Sequence, residues 1–200
     1  GRSLGTIDMA TGVFTQIGPT GLRFSTLQWS NDGAMLYAVT GNGSPTNPES
    51  LFSLDPATGT PTLVQALGNG ADGEAVAFDP AGNLFHWSGN STVVMETVQI
   101  GTGVTNVTYS GNPGGETFGA TWWNWHKDVN GDPDPVMLLG NIASGLVTLK
   151  PDLATNSAVY TPYAGSLRDD ARGLIFDRNF NYPVDDSVCP LVAPPPPTGP

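Results

Sequence analysis

The chain has 200 residues, of which 12% are charged, with 26 glycines, 18 prolines and a formal net charge of −11. That length suits one core and is short for two domains. Seven Lys and Arg form none of the basic clusters that neutralise nucleic-acid phosphates or dock on anionic lipid. No stretch approaches the ~20 apolar residues of a membrane span, and none keeps apolar residues at helical spacing, so an all-β chain with almost no helix is expected. The single cysteine, Cys189, builds no intrachain disulfide framework. Its partner, if it has one, lies on another chain or outside these residues. The first residues lack a hydrophobic signal core, so an export signal would lie upstream or be already removed.

In chain order, residues 4–12 (LGTIDMATG) and the VFTQIG that follows predict a hairpin: an alternating apolar strand, an Asp-x-Ala-Thr-Gly turn and a Thr/Val-rich strand. Residues 26–40 (TLQWSNDGAMLYAVT) predict a strand, an Asp/Gly turn and a second strand. The pair of elements then repeats. Residues 51–59 (LFSLDPATG) return the first hairpin and 74–88 (EAVAFDPAGNLFHWS) the second; 98–103 (VQIGTG) and 119–141 give the next pair. Residues 146–156 (LVTLKPDLATN) bring the hairpin a fourth time, and Arg172–Phe180 (RGLIFDRNF) repeats one inner strand. Gly12, Gly59, Gly103 and Asn156 stand where each turn requires positive φ, and they recur at roughly 45–50 residues, the period of four-stranded propeller blades. The alternative is a β-sandwich whose hairpins are alike by accident.

The expected fold is a β-propeller of four-stranded blades, with about four blades' worth of sequence in residues 1–182, either a complete small ring or part of a larger one. Gly-Leu-x-Phe-Asp strands would be innermost, and first and last strands would share one blade. Residues 183–200, ending VAPPPPTGP, form a Pro-rich tail or linker, because proline cannot continue a ladder.

These Leu-x-x-Ile/Leu-Asp-x-x-Thr-Gly and Leu-x-Phe-Asp-x-x-Gly-x-Leu-Phe units resemble the repeats of exported bacterial propeller-like proteins. The segment VCPLVAPPPPTGP is similar to the spacer that precedes a surface-sorting tail in such proteins. The resemblance implies an extracellular or cell-surface location, and it reports architecture rather than activity.

Three groups of residues are candidates for function. Asp128, Asn130, Asp132 and Asp134 alternate as calcium-loop ligands do at relative positions 1, 3, 5 and 7, which makes calcium the cofactor expected here, with no other. Pro133 stands where that loop has glycine and Leu139 where it has its bidentate Glu, so the loop is no EF-hand; a solvated turn is the alternative. Glu74, Glu116 and Arg172 precede successive inner strands and would face a central funnel, as ligand or metal groups or as a salt bridge. Trp123 and Trp125, with Trp122 and His126, form an aromatic surface able to stack on sugars, or packing between blades. His86 and His126 have no sequence neighbours that place either beside a nucleophile and an orienting acid.

The function expected is that of an extracellular structural or adhesive surface protein without catalysis. It would work through protein–protein assembly, pairing with other subunits or with itself through strand edges or the Pro-rich tail. The alternatives are a propeller-type hydrolase or lyase with a metal in the funnel, and a carbohydrate-binding module. Neither nucleic acid nor a transmembrane segment is expected.

Overall fold

The computed structural model describes residues 2–41, 43–67, 75–88, 94–101, 107–110, 115–124, 126–128 and 130–163. Turn chemistry organises it from the bottom up. The Asp8 carboxylate accepts the N–H groups of Thr11 (2.8 Å) and Ala10 (2.9 Å), and the Gly12 N–H donates to the Asp8 carbonyl at 2.7 Å. The same turn returns at Asp55, which accepts from the Ala57 N–H (2.8 Å) and the Thr58 hydroxyl (2.9 Å). It returns again at Asp152, with the Thr155 hydroxyl at 2.7 Å and the Ala154 N–H at 2.9 Å. The last turn residue lies at φ +71° in Gly12, +76° in Gly59 and +51° in Asn156, the left-handed region open to glycine and tolerated by asparagine. Gly103 lies outside the described residues.

These turns join antiparallel strands. Strands β1 (Ser3–Ile7) and β2 (Phe14–Pro19) form a two-stranded first sheet. The second sheet runs in chain order through β3 (Phe24–Trp29), β4 (Leu36–Thr40), β5 (Ser50–Leu54) and β6 (Pro61–Ala66). The third holds β7 (Ala75–Phe78), β8 (Leu84–Ser88), β9 (Val94–Val98) and β10 (Val107–Thr108). The fourth holds β11 (Thr117–Trp123), β12 (Val136–Asn141), β13 (Gly145–Asp152) and β14 (Ser157–Pro162). The protein is thus all-β, with no helix among the described residues.

The sheets stack through their faces, because side chains alternate along each strand. Leu4 of the first sheet meets Leu36, Ala38 and Leu54 of the second. The other face of the second sheet, with Val39 and Leu51, packs on Val76, Phe78, Leu84 and Val98 of the third. The opposite face of the third, with Phe85, Trp87 and Met95, packs on Met137, Leu139, Val147 and Leu149 of the fourth. Each fully buried Leu or Phe in these layers contributes about 1.5–3 kcal/mol.

Two features fix how the sheets succeed one another. First, β7 lies against both β3 and β11, and β11 reaches β3, so the leading strands of the three larger sheets converge. Second, the last strand of one sheet touches the β-turn of the next, three times over. Gly18 on β2 lies against Thr58 and Gly59 so closely that a Cβ on Gly18 would overlap the Thr58 carbonyl. The Gly101 N–H donates to the Gln65 side-chain oxygen at 3.1 Å. The Ser110 N–H donates to the Asn156 carbonyl at 2.8 Å, and the Ala158 N–H returns to Ser110 at 3.1 Å. The strand expected at 172–180, the tail at 183–200 and Cys189 lie outside the described residues.

Candidate functional site

The densest set of interacting polar and aromatic side chains surrounds the β11–β12 connection. It begins with alternation on β11, which sends adjacent tryptophans to opposite faces. Trp122 packs on the core shared with the third sheet, and its Nε1–H donates to Asn124 Oδ1 at 2.7 Å. Trp123 takes the other face. There its ring meets His126 edge-on at 4.9 Å between centroids and Tyr163 at 5.6 Å.

His126 is held by Asp134. The Asp134 N–H donates to the His126 carbonyl at 2.8 Å, and His126 Nδ1 lies 2.7 Å from the Asp134 carbonyl oxygen. A carbonyl only accepts, so Nδ1 carries the proton and Nε2 is left as the acceptor when the ring is neutral. The Asp134 carboxylate lies 3.5 Å from the same Nδ1 and pairs with Lys150 of β13. Trp123, His126, Asp134, Lys150 and Tyr163 therefore share one partly exposed surface on the fourth sheet.

Between His126 and Asp134 the loop is bonded through Asp128. Asp128 Oδ1 accepts the N–H groups of Asn130 (2.8 Å) and Asp132 (3.0 Å). Asp128 Oδ2 accepts the Asn130 side-chain amide at 3.2 Å. Gly131, at φ +86°, donates to the Asp128 carbonyl at 3.0 Å, and the Asp128 N–H donates to the Asp132 carbonyl at 2.9 Å. The backbone N–H groups of Asn130 and Asp132 hold the Asp128 carboxyl below its ordinary pKa. The 1, 3, 5, 7 spacing of Asp128, Asn130, Asp132 and Asp134 thus places them on one turn. There Asp128 serves the turn itself and Asp134 faces Lys150. Among the described residues, no three His, Cys, Asp or Glu side chains converge as metal ligands.

Of the funnel residues, Glu74 and Arg172 lie outside the described residues, as does Trp125. Glu116 directly precedes β11, and its carbonyl accepts the Ile142 N–H at 2.9 Å.

A second polar pair escaped the sequence reading. His86 on β8 and Glu96 on β9 are register partners, with Nδ1 3.0 Å from Oε1 and both side chains fully buried. They lie on the face that carries Leu84 and Val98, between the second and third sheets. Each is a polar residue at an inward position of an apolar strand, and the two are equidistant from the hairpin centre. That symmetry was the available signal. In the fourth sheet, the Tyr160 hydroxyl donates to Met95 Sδ at 3.0 Å, and burial pushes its pKa well above the ordinary tyrosine value.

Neither a known protein family nor a curated protein sequence matches the chain.

Proposed function

We propose that the chain is an extracellular structural or adhesive module, built as blades of a β-propeller and acting through protein–protein assembly. The blade reading is supported by converging leading strands and by a turn-to-strand contact that recurs from sheet to sheet. The observation that carries the function is the rim. Strands β2 and β6 each pair on one side only among the described residues, and β14 does so beyond its bridge from Ser157 to Ser110; they carry exposed Phe14, Leu63 and Val159. The adjoining turns add exposed Met9, Val13 and Leu153. Single exposed apolar residues are ordinary, but apolar side chains along unpaired strand edges form a template for another chain.

Light scattering after gel filtration tests this. The expected result is a defined oligomer, or larger assemblies, at micromolar concentration, with Leu63→Lys and Val159→Lys shifting the chain toward 20.8 kDa. A monomer at every concentration, unchanged by either substitution, would overturn the reading.

The Trp123 surface favours a second reading, a carbohydrate ligand. An indole flanked by Tyr163, His126, Asp134 and Lys150 offers a stacking face beside hydrogen-bonding groups. Quenching of tryptophan fluorescence by added glycans, lost in Trp123→Ala, is the outcome that reading requires. Calcium at Asp128–Asp134 is a separate proposal. It needs Asp134 to leave Lys150, so a calcium titration should bind more tightly in Lys150→Met.

A further inference from the structure

Four aspartates of this chain stand directly before a proline: Asp55, Asp79, Asp132 and Asp134. A peptide bond from Asp to Pro is labile for a reason within the dipeptide. The carboxylate sits at the distance that closes a five-membered ring on its own carbonyl carbon, and the departing nitrogen is a tertiary amide with no N–H. Where the carboxylate points, and what binds the carbonyl oxygen, decide whether a folded chain uses that chemistry.

Two of the four are taken up by turns. The Asp55 carboxylate accepts the Ala57 N–H and the Thr58 hydroxyl. The Asp79 carboxylate accepts the Asn83 N–H at 2.8 Å and the Asn83 side-chain amide at 2.7 Å. Both therefore lean toward residues further along the chain. Asp132 is exposed, and its carbonyl takes the backbone N–H of Asp128 at 2.9 Å.

Asp134 differs in both respects. Its carbonyl oxygen takes the His126 Nδ1–H at 2.7 Å, and its own Oδ2 lies 3.5 Å from the same nitrogen. Lys150 of β13 pairs with Oδ1, which leaves Oδ2 as the oxygen on the imidazole side. Carboxylate and carbonyl thus converge on one N–H, which stands at the distance of an oxyanion donor. The imidazole is held there by the edge-on Trp123 ring and by the Asp134 N–H on the His126 carbonyl. Pro135 is exposed, so water reaches the bond.

We infer that the Asp134–Pro135 peptide bond is a self-cleavage site, with Asp134 Oδ2 as nucleophile and His126 as the catalytic donor to the carbonyl. Oδ2 bonds to the Asp134 carbonyl carbon, and the His126 Nδ1–H holds the oxyanion that forms. The carbon–nitrogen bond to Pro135 then breaks, and the proline nitrogen takes a proton from water. Water opens the cyclic anhydride left on Asp134, restoring its side-chain carboxylate and giving a new α-carboxylate. One water is consumed, and nothing is oxidised or reduced. The products, residues 1–134 and 135–200, stay joined by the ladder of β11 with β12, so the nick is silent in native mass. The step needs neither assembly nor a ligand.

Mass spectrometry of the purified full chain under denaturing conditions, followed over days at neutral pH, tests it. Two fragments should accumulate, one ending at Asp134 and one beginning at Pro135, at a rate independent of protein concentration and of protease inhibitors. Hydroxylamine should trap the anhydride as a hydroxamate at Asp134. The Asp55–Pro56, Asp79–Pro80 and Asp132–Pro133 bonds of the same sample are internal controls and should stay intact. His126→Ala should slow the cut roughly 10²–10³-fold, the usual effect of losing one oxyanion donor. Pro135→Ala, an exposed change that leaves Asp134, His126 and Lys150 in place, should slow it as well by removing the tertiary amide. A chain that stays intact, or one cut alike at all four bonds, overturns the inference. So does a rate unchanged in either variant, or a cut abolished by protease inhibitors, which marks a contaminating protease.

Discussion

The first and third sheets are made from the same repeat and meet opposite fates. Every residue of β8 is buried, whereas Leu4 alone is buried on β1. Leu54 and Val98, at matching places in the second and third sheets, are 2% and 5% exposed, but Ile7 at that place in the first is 61% exposed. Apolar sequence is therefore not what buries a strand here. A neighbouring sheet on each face does so, and the first sheet has one such neighbour among the described residues. The repeat behaves as a stack in which each unit's stability is largely lent by the next.

Substitutions can break or sharpen that contrast. Phe85→Ala should cost about 3–5 kcal/mol in urea unfolding, because Phe85 is fully buried between two sheets. Ile7→Ala should stay within about 0.5 kcal/mol. Similar losses at both positions would mean that the first sheet is covered on its outward face. Removing the carboxylate of the buried pair, by Glu96→Ala, should cost about 1–3 kcal/mol, since it takes away the oxygen that lies 3.0 Å from His86 Nδ1.

The glycines give a finer test. Gly12→Ala meets only the left-handed backbone penalty of about 1–2 kcal/mol, because nothing lies within 4 Å of its Cβ position. Gly59→Ala adds a Cβ 2.9 Å from the Gly18 carbonyl, so it should exceed Gly12→Ala by about 1–3 kcal/mol of overpacking. Equal losses would remove the close seam between the first and second sheets.

The smallest effect per site is on acid stability. Asp8 is held below its ordinary pKa chiefly by the Thr11 N–H, Asp55 by the Ala57 N–H and Asp152 by the Thr155 hydroxyl. A carboxyl lowered in the folded state contributes fully above the unfolded value of about 3.9 and loses that contribution as pH falls through its folded value. The urea midpoint should therefore hold from pH 7 to about 5 and fall below about pH 4. Asp55→Asn should shallow that fall while leaving the Ile7 and Phe85 contrast intact.

The sequence made the turns legible because their chemistry is local. Asp8, Asp55 and Asp152 each bond residues two or three positions on, so the motif and the positive φ of Gly12, Gly59 and Asn156 follow without tertiary knowledge. The four-stranded grouping was legible for the same reason, since each sheet joins its strands in chain order. The site was less so. The alternation of Asp128, Asn130, Asp132 and Asp134 points to shared ligation, but which donors reach those carboxylates depends on Lys150, brought in by the β12–β13 register. Tyr163 reaches Trp123 only through the pairing of β13 with β14. The pairing of His86 with Glu96 was hidden without the β8–β9 register. Chain-distant partners are set by strand pairing, and composition carries little of it.

The turns also divide the molecule into places that tolerate lengthening and places that do not. At the Asp55–Gly59 and Asp152–Asn156 turns a neighbouring sheet lies in backbone contact, so an inserted residue would pry two layers apart. The Asp128–Asp132 loop closes on its own carboxylate, and a Cβ at Gly131 would meet nothing. Diversity can accumulate there without a toll on the stack. A side chain added at Gly131 would meet no neighbour within 4 Å, and its cost would be that of the left-handed backbone alone.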